Sequence, residues 1–376
     1  MSILNVKKGA SFSADPIQAV REIAEAIRQP DAVIVIFFAS SKYDLTTLEK
    51  ALQDAFTCPV IGCTTSGEIM SSVGYIKGSI VGVSLSSSNL IAHPKIIYPL
   101  SRFDHAEVGK LAQELRSGLK LSNDFDPAKM FSLLLVDGLS MLEEQVVATL
   151  YNTLGGVNLF GGSAGDDLSF KETHVYCDSK FFKDAAVIAL FETTLPFKTF
   201  HIQHFEPTDT RLVITESDCA SRTVTEINGG PAAEEYASAV GLNITELNAQ
   251  IFAAHPVMLK IGGEYYVRSI QKVNPDGSLT FYCAIDDGLV LTVGRGKDLV
   301  ENLHENFANL HKELPTLKIF LGCDCIGRRL ELQQKGLTEE AEKVLKNIDF
   351  IGFSTYGEQF NGIHINHTLT GIAIGE

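Results

Sequence analysis

The sequence predicts an α/β protein with mixed sheets built from three repeated β-α-β units that end in glycine turns, plus an inserted α+β segment. Three observations carry that expectation. Short β-branched and aromatic runs alternate with stretches of helical periodicity. The order strand, helix, strand, glycine turn returns three times, and a segment of different texture separates the second occurrence from the third.

The first repeat opens with Ala32 to Phe38, an uninterrupted apolar run of the kind found in strands covered on both faces. Asp44 is placed to cap a helix whose apolar residues Leu45, Leu48, Leu52, Ala55 and Phe56 recur at helical spacing. Pro59-Val60-Ile61 then leads into Gly62-Cys63-Thr64-Thr65-Ser66-Gly67-Glu68. The second repeat runs from Met130 to Asp167. Its strand is Phe131 to Val136, Ser140 with Glu143 suggests a capping box, and the helix Leu142 to Leu154 ends at Gly155-Gly156, where a left-handed cap fits. Leu159-Phe160 enters Gly161-Gly162-Ser163-Ala164-Gly165-Asp166-Asp167. The third repeat spans Leu317 to Glu358, with a strand at Leu317 to Leu321, a helix from about Thr338, and the turn Gly352-Phe353-Ser354-Thr355-Tyr356-Gly357-Glu358. A further strand follows each turn: Ser79 to Leu85, Ala185 to Leu190, Leu369 to Ile374. Helical crossovers favour parallel pairing of the first two strands, and an antiparallel last strand would make each sheet mixed.

Between the second and third repeats, Asn228-Gly229-Gly230-Pro231 precedes a helix at Ala232 to Val240. Tyr265 to Val267, Leu279 to Cys283 and Leu289 to Val293 read as short strands. The expected division is residues 1–220, holding two repeats, and 221–376, holding the α+β segment and the third.

Composition narrows the function. The 376 residues carry 31 Lys+Arg against 46 Asp+Glu, a net charge of −15, which argues against a nucleic-acid partner. The longest apolar run, Ala32 to Ala39, falls far short of the roughly 20 residues of a membrane span, so no membrane insertion is expected. The N-terminus does not read as a signal peptide. Seven scattered cysteines fit reduced thiols, and the expected location is cytoplasmic.

The stretches Ile61 to Glu68 and Leu159 to Asp166, then Glu226 to Ala232, Tyr236, Cys325 with Arg328, Gly352 to Glu358, and Asn366 with Thr368 together resemble the FIST sensory-domain family, from about residue 30 to 370. The resemblance implies a cytoplasmic ligand-binding sensor in signal transduction. Standalone bacterial members of this length are similar to haem-based nitric oxide sensors that modulate a partner histidine kinase or a cyclic-di-GMP enzyme. The resemblance thus implies a small-molecule or gas ligand and a suspected haem, and a homo-oligomer is compatible with it. A FIST sensor for an amino-acid-like ligand without haem is the alternative.

Candidate residues follow. A glycine turn after a strand can offer backbone N–H groups to an anion, which marks Gly62, Thr64, Ser163, Gly352 and Ser354 as candidate ligand-binding positions. The other reading of these turns is folding geometry alone. Glu68 and Glu358 are placed to close hydrogen bonds to them. Gly161-Gly162-Ser163-Ala164-Gly165 matches the pattern of a nucleophile elbow, the remote serine-hydrolase alternative, but Asp166 to Phe170 reads as a loop where that motif needs a helix. Otherwise no catalytic residue is expected, and the protein is not expected to be an enzyme. Cys323-x-Cys325 lacks the second pair of a zinc site, and Cys58-Pro59 is a dipeptide seen in thiolate–haem regulatory sites. If haem is bound, His255 in the apolar run Ile251 to Leu259 is the preferred axial ligand to the iron. His204 beside Phe205 is second, and Arg268 is a candidate partner for a propionate or an amino-acid carboxylate.

Overall fold

A computed structural model describes residues 3–119 and 125–376. The chain divides into two compact parts. The larger comprises Met1–Ile202, Leu303–His364 and Leu369–Glu376, and the smaller comprises Gln203–Asn302 with Ile365–Thr368. The chain therefore leaves the first part at residue 202, ahead of the division expected at 220. It also returns to the smaller part for four residues near its end.

Three six-stranded mixed sheets form the larger part, and each expected repeat is present. In the first, the strand Ile34–Ser40 is buried at all seven positions and runs parallel to Val60–Thr65, with the helix Leu45–Ala55 between them. Asp44 caps that helix by accepting from the Thr47 N–H at 2.8 Å. The strand Ile80–Ser86 returns antiparallel to Ile34–Ser40. The second repeat has Met130–Val136 parallel to Asn158–Ser163 and antiparallel to Ala186–Thr193. The third has Leu317–Cys325 parallel to Phe350–Thr355 and antiparallel to Leu369–Gly375. Gly155 and Gly156 take the expected left-handed conformation, with φ of 71° and 77°. The capping box does not form, because the helix starts at Glu143 and Ser140 instead accepts from the Leu142 N–H.

Each repeat sends a short hairpin into another repeat's sheet. The hairpin Glu68–Met70 with Gly74–Ile76 extends the third repeat's sheet, Val175–Cys177 with Lys180–Phe182 extends the first, and Glu358–Phe360 with Ile363–Ile365 extends the second. All three sheets then share one order: outer strand, last strand, first strand, second strand, donated hairpin. The exchange is cyclic, so the three sheets close on one another. Their inner faces share one core, in which Phe38 of the first repeat stacks on Phe353 of the third at 4.4 Å.

The third repeat differs by an additional helix, Ile326–Lys335, placed directly after its first strand and ahead of the expected helix Thr338–Lys346. The smaller part holds an eight-stranded antiparallel arrangement around the long strand Phe205–Asp218. Helices Ala232–Ala239 and Ala249–Ala254 accompany it, over a core that includes Tyr236, Phe252, Val257 and Phe281. No helix among the described residues is long and apolar enough to cross a membrane.

Candidate functional site

The three glycine turns meet in a ring. The Gly165 N–H donates to the Thr64 carbonyl at 2.9 Å, the Ser66 N–H to the Ser354 carbonyl at 3.1 Å, and the Tyr356 N–H to the Ser163 carbonyl at 3.3 Å. A second set runs the opposite way round: Thr64 N–H to His174 carbonyl, Ser163 N–H to Gly357 carbonyl, Ser354 N–H to Gly67 carbonyl. Thr64, Ser163 and Ser354 are wholly buried. The N–H groups of these three residues are therefore engaged with neighbouring turns and not presented to an anion. Gly62, Gly161 and Gly352 sit two residues earlier, and a Cβ on each would lie 2.0–2.4 Å from the carbonyl oxygen of the adjacent parallel strand. Sheet packing excludes any side chain at these three positions.

Two buried acids brace the ring, as the sequence suggested. Glu68 accepts from the Thr65 and Ser79 hydroxyls and the Ser79 N–H, and Glu358 accepts from the Thr355 hydroxyl. Burial pushes Glu68 up to about 7, against the opposing pull of those hydrogen bonds. Arg329, on the additional helix, lies against Gly67 and donates to the carbonyls of Ser66 (3.3 Å) and Ile76 (3.2 Å). Gly67 has φ of 127°, so both its backbone and the guanidinium beside it demand glycine. Tyr75 of the first repeat's hairpin donates to Asp324 at 2.9 Å, and Asp324 also accepts from the fully buried Arg328 at 2.8 Å.

Ser163 does not have the surroundings of a nucleophile. Its hydroxyl accepts from the Gln359 amide at 2.9 Å, a donor that cannot take a proton, and Gln359 is itself 3.3 Å from His364 Nδ1.

A cleft of about 470 Å³ opens beside the first repeat, within the usual size range for small-molecule sites. Three elements line it. Leu52, Gln53 and Phe56 belong to the end of the helix Leu45–Ala55 and its cap, Pro94 and Lys95 to the outer strand Leu90–Ile97, and Tyr176 to Ser179 to the donated hairpin. Apolar surface from Leu52, Phe56 and Val60 adjoins polar groups from Gln53, Thr57, Lys95 and Asp178. Gln53 holds the hairpin tip by donating to the Ser179 carbonyl at 2.5 Å, and Glu49 accepts from the Phe181 N–H at 2.9 Å. Cys58, from the Cys58-Pro59 dipeptide, is half-buried here, and burial pushes its thiol up. Burial, reinforced by Asp178, pushes Cys177 up to about 12. Both thiols are thus neutral at pH 7, which suits binding and not nucleophilic attack. A second cleft of about 500 Å³ follows the helix His105–Ser117, between Ile97, Tyr98, Phe103 and Leu111.

The expected haem residues lie in the smaller part and line neither cleft. His204 is wholly buried with the Phe205 ring centroid 4.1 Å away, which leaves no open ring face beside which a porphyrin could sit. His255 is half-buried, ends the short helix Ala249–Ala254, and accepts from the Tyr236 hydroxyl through its backbone carbonyl at 2.7 Å. Arg268 is 6% exposed, at the end of the strand Glu264–Arg268 and paired in register with Val257. As placed, these residues do not form a cradle that fits haem. No cluster of three or more metal-ligating side chains occurs among the described residues. Cys323 and Cys325 are buried in the strand Leu317–Cys325, while His304 and His311 are exposed on the helix Leu299–Glu313.

One arrangement escaped the sequence reading. In the first and third turns the chain passes from the ring residue to the paired hairpin in two positions, Ser66 to Glu68 and Tyr356 to Glu358; in the second it takes ten, Gly165 to Val175. The eight additional residues wrap the Tyr356 hydroxyl, which accepts from the Leu168 N–H at 2.8 Å and donates to Asp166. Asp166 also accepts the N–H groups of Phe170, Lys171 and Glu172 at 2.7–3.0 Å. Burial alone would raise Asp166, but the Tyr356 hydroxyl and these N–H groups hold its carboxyl below the usual range. Asp167, Leu168 and Phe170 all adopt left-handed φ, at 57°, 65° and 50°. The doubled aspartate and the loop-like run Asp166 to Phe170 were its signals in the sequence.

A family model described as the FIST N domain matches residues 33–230, and one described as the FIST C domain matches residues 232–361. A search of curated proteins returned no match.

Proposed function

This chain belongs to the FIST family, and from that premise we propose that it senses a small polar ligand held in the cleft between the helix Leu45–Ala55 and the hairpin Val175–Phe182. FIST domains are small-ligand sensory domains. The observation that carries the proposal is the cleft's construction: one wall comes from the first repeat, and the other is a hairpin lent by the second. A ligand bridging those walls would bias how the repeats hold one another, which is what a sensor needs. The mixture of apolar floor with Gln53, Thr57, Lys95 and Asp178 suits a compact molecule with a charged or amide group, in line with an amino-acid-like ligand. The output, on this reading, is regulation of a separate signalling partner such as a histidine kinase or a cyclic-di-GMP enzyme. Haem has no part in the reading, because the placement of His204 and His255 does not favour it.

Calorimetric titration with the twenty amino acids, and separately with haemin, tests the proposal. The expected result is saturable binding of at least one amino acid, weakened at least tenfold by Thr57→Trp, which fills the cleft. A Soret-absorbing complex that shifts with nitric oxide and is lost in His255→Ala would overturn it in favour of a haem sensor.

A further inference from the structure

The second turn is where the threefold pattern is broken, and the break adjoins the cleft. Residues Asp166 to Thr173 run through His174 into the strand Val175–Cys177, whose hairpin tip lines the cleft. The ring grips His174 on both sides: its N–H donates to the Thr64 hydroxyl at 3.0 Å, and its carbonyl accepts from the Thr64 N–H at 2.9 Å. A fixed point therefore stands between two arms. One arm is the hairpin, held at the cleft by Gln53 and Glu49. The other is the eight-residue excess, held by Tyr356 and Asp166.

The second arm carries strain, and several contacts fasten it. Left-handed φ at three non-glycine residues within four positions costs free energy at each of them, so the conformation persists only while the surroundings enforce it. The enforcing groups are the Tyr356 phenol and the Asp166 carboxylate, joined by the Lys42–Asp167 ion pair at 3.5 Å and by Thr173, which donates to Asp137. Phe170 stacks on the Tyr356 ring with centroids 4.9 Å apart, yet stays 44% exposed, so release would uncover two aromatic rings.

We propose that Asp166–Thr173 is a two-state strap, latched on Tyr356 or released, and that cleft occupancy controls it through the hairpin about the His174 pivot. This rests on the reading of the cleft as the ligand site and adds how that site is read out. The latched state is the one described here. Release relaxes Asp167, Leu168 and Phe170 and exposes the Phe170 and Tyr356 rings to solvent.

Coupling between two sites is reciprocal, so the strap can be tested without knowing the ligand. Hydrogen exchange of the full chain is followed by mass spectrometry on peptides covering 166–173 and 175–182. Gln53→Ala, which frees the hairpin tip, is expected to speed exchange in 166–173 about fivefold or more. Tyr356→Phe, which removes the latch, is expected to speed exchange in both segments. Leu168→Gly, which relieves the left-handed strain, is expected to slow exchange in 166–173, and it decides the matter should Tyr356→Phe fail to fold. Exchange in 166–173 that ignores Gln53→Ala, or that Leu168→Gly fails to slow, would overturn the strap. Failure of amino-acid binding in the titration would remove the ligand while leaving this coupling measurable.

Discussion

The first and second turns start from equivalent ring positions and then diverge. After Ser66 the chain spends a single glycine, Gly67, before Glu68 enters the next sheet. After Gly165 it spends nine residues before Val175 does the same. The first turn is braced from beneath by a buried acid and capped by Arg329. The second is held from outside by a phenol and takes strained backbone instead of glycine. The difference teaches that the ring hydrogen bonds, present in all three turns, set the architecture. The length between ring and hairpin is free to vary, and the second turn uses that freedom to wrap the Tyr356 hydroxyl.

The largest effect expected from testing this contrast comes from separating the repeats. A fragment of residues 1–220 leaves Glu68–Met70 without Phe350–Thr355 and Asn158–Ser163 without Glu358–Phe360. It should show no cooperative thermal unfolding, whereas a fragment that melts like the full chain would mean the ring is dispensable. Next is Gly67→Ala, which places a Cβ 1.7 Å from Arg329 Nη1 at φ 127°. It should cost about 3 kcal/mol in urea unfolding.

The smaller effect depends on pH. Glu68, raised to about 7 in the fold, stabilises fully below its ordinary value of 4.5 and loses that contribution as pH rises through about 7. The swing is at most about 3 kcal/mol. Glu68→Gln should flatten the stability profile between pH 4.5 and 8. Equal slopes in Glu68→Gln and the parent would show that the acid does not brace the ring.

Much of this architecture was legible in the sequence, because its elements are locally encoded. The run Ala32 to Phe38, the Asp44 cap and the paired glycines at 155 and 156 each specify their own conformation. The hairpin exchange was not legible. Glu68 and its partner Phe353 are far apart in sequence, and no local pattern names a partner. The helix Ile326–Lys335 was hidden for a different reason. Its buried face includes Arg328, Arg329 and Glu331, so the apolar period that betrays an ordinary helix is missing. The candidate site followed the same division. Cys58-Pro59 drew notice from sequence, but the Gln53 and Ser179 that complete the cleft meet only through the lent hairpin. The histidines drew notice from apolar neighbours, and for His204 that apolar setting proved to be dense packing.

The cyclic lending of hairpins also sets a timetable for synthesis. The strand that the hairpin ending at Ile76 must join, Phe350–Thr355, emerges from the ribosome about 270 residues later. At 5–20 residues per second, that hairpin waits about 15–60 s without its sheet. The nascent chain therefore carries an unpaired strand edge until Phe350–Thr355 has emerged, and only then can the ring close.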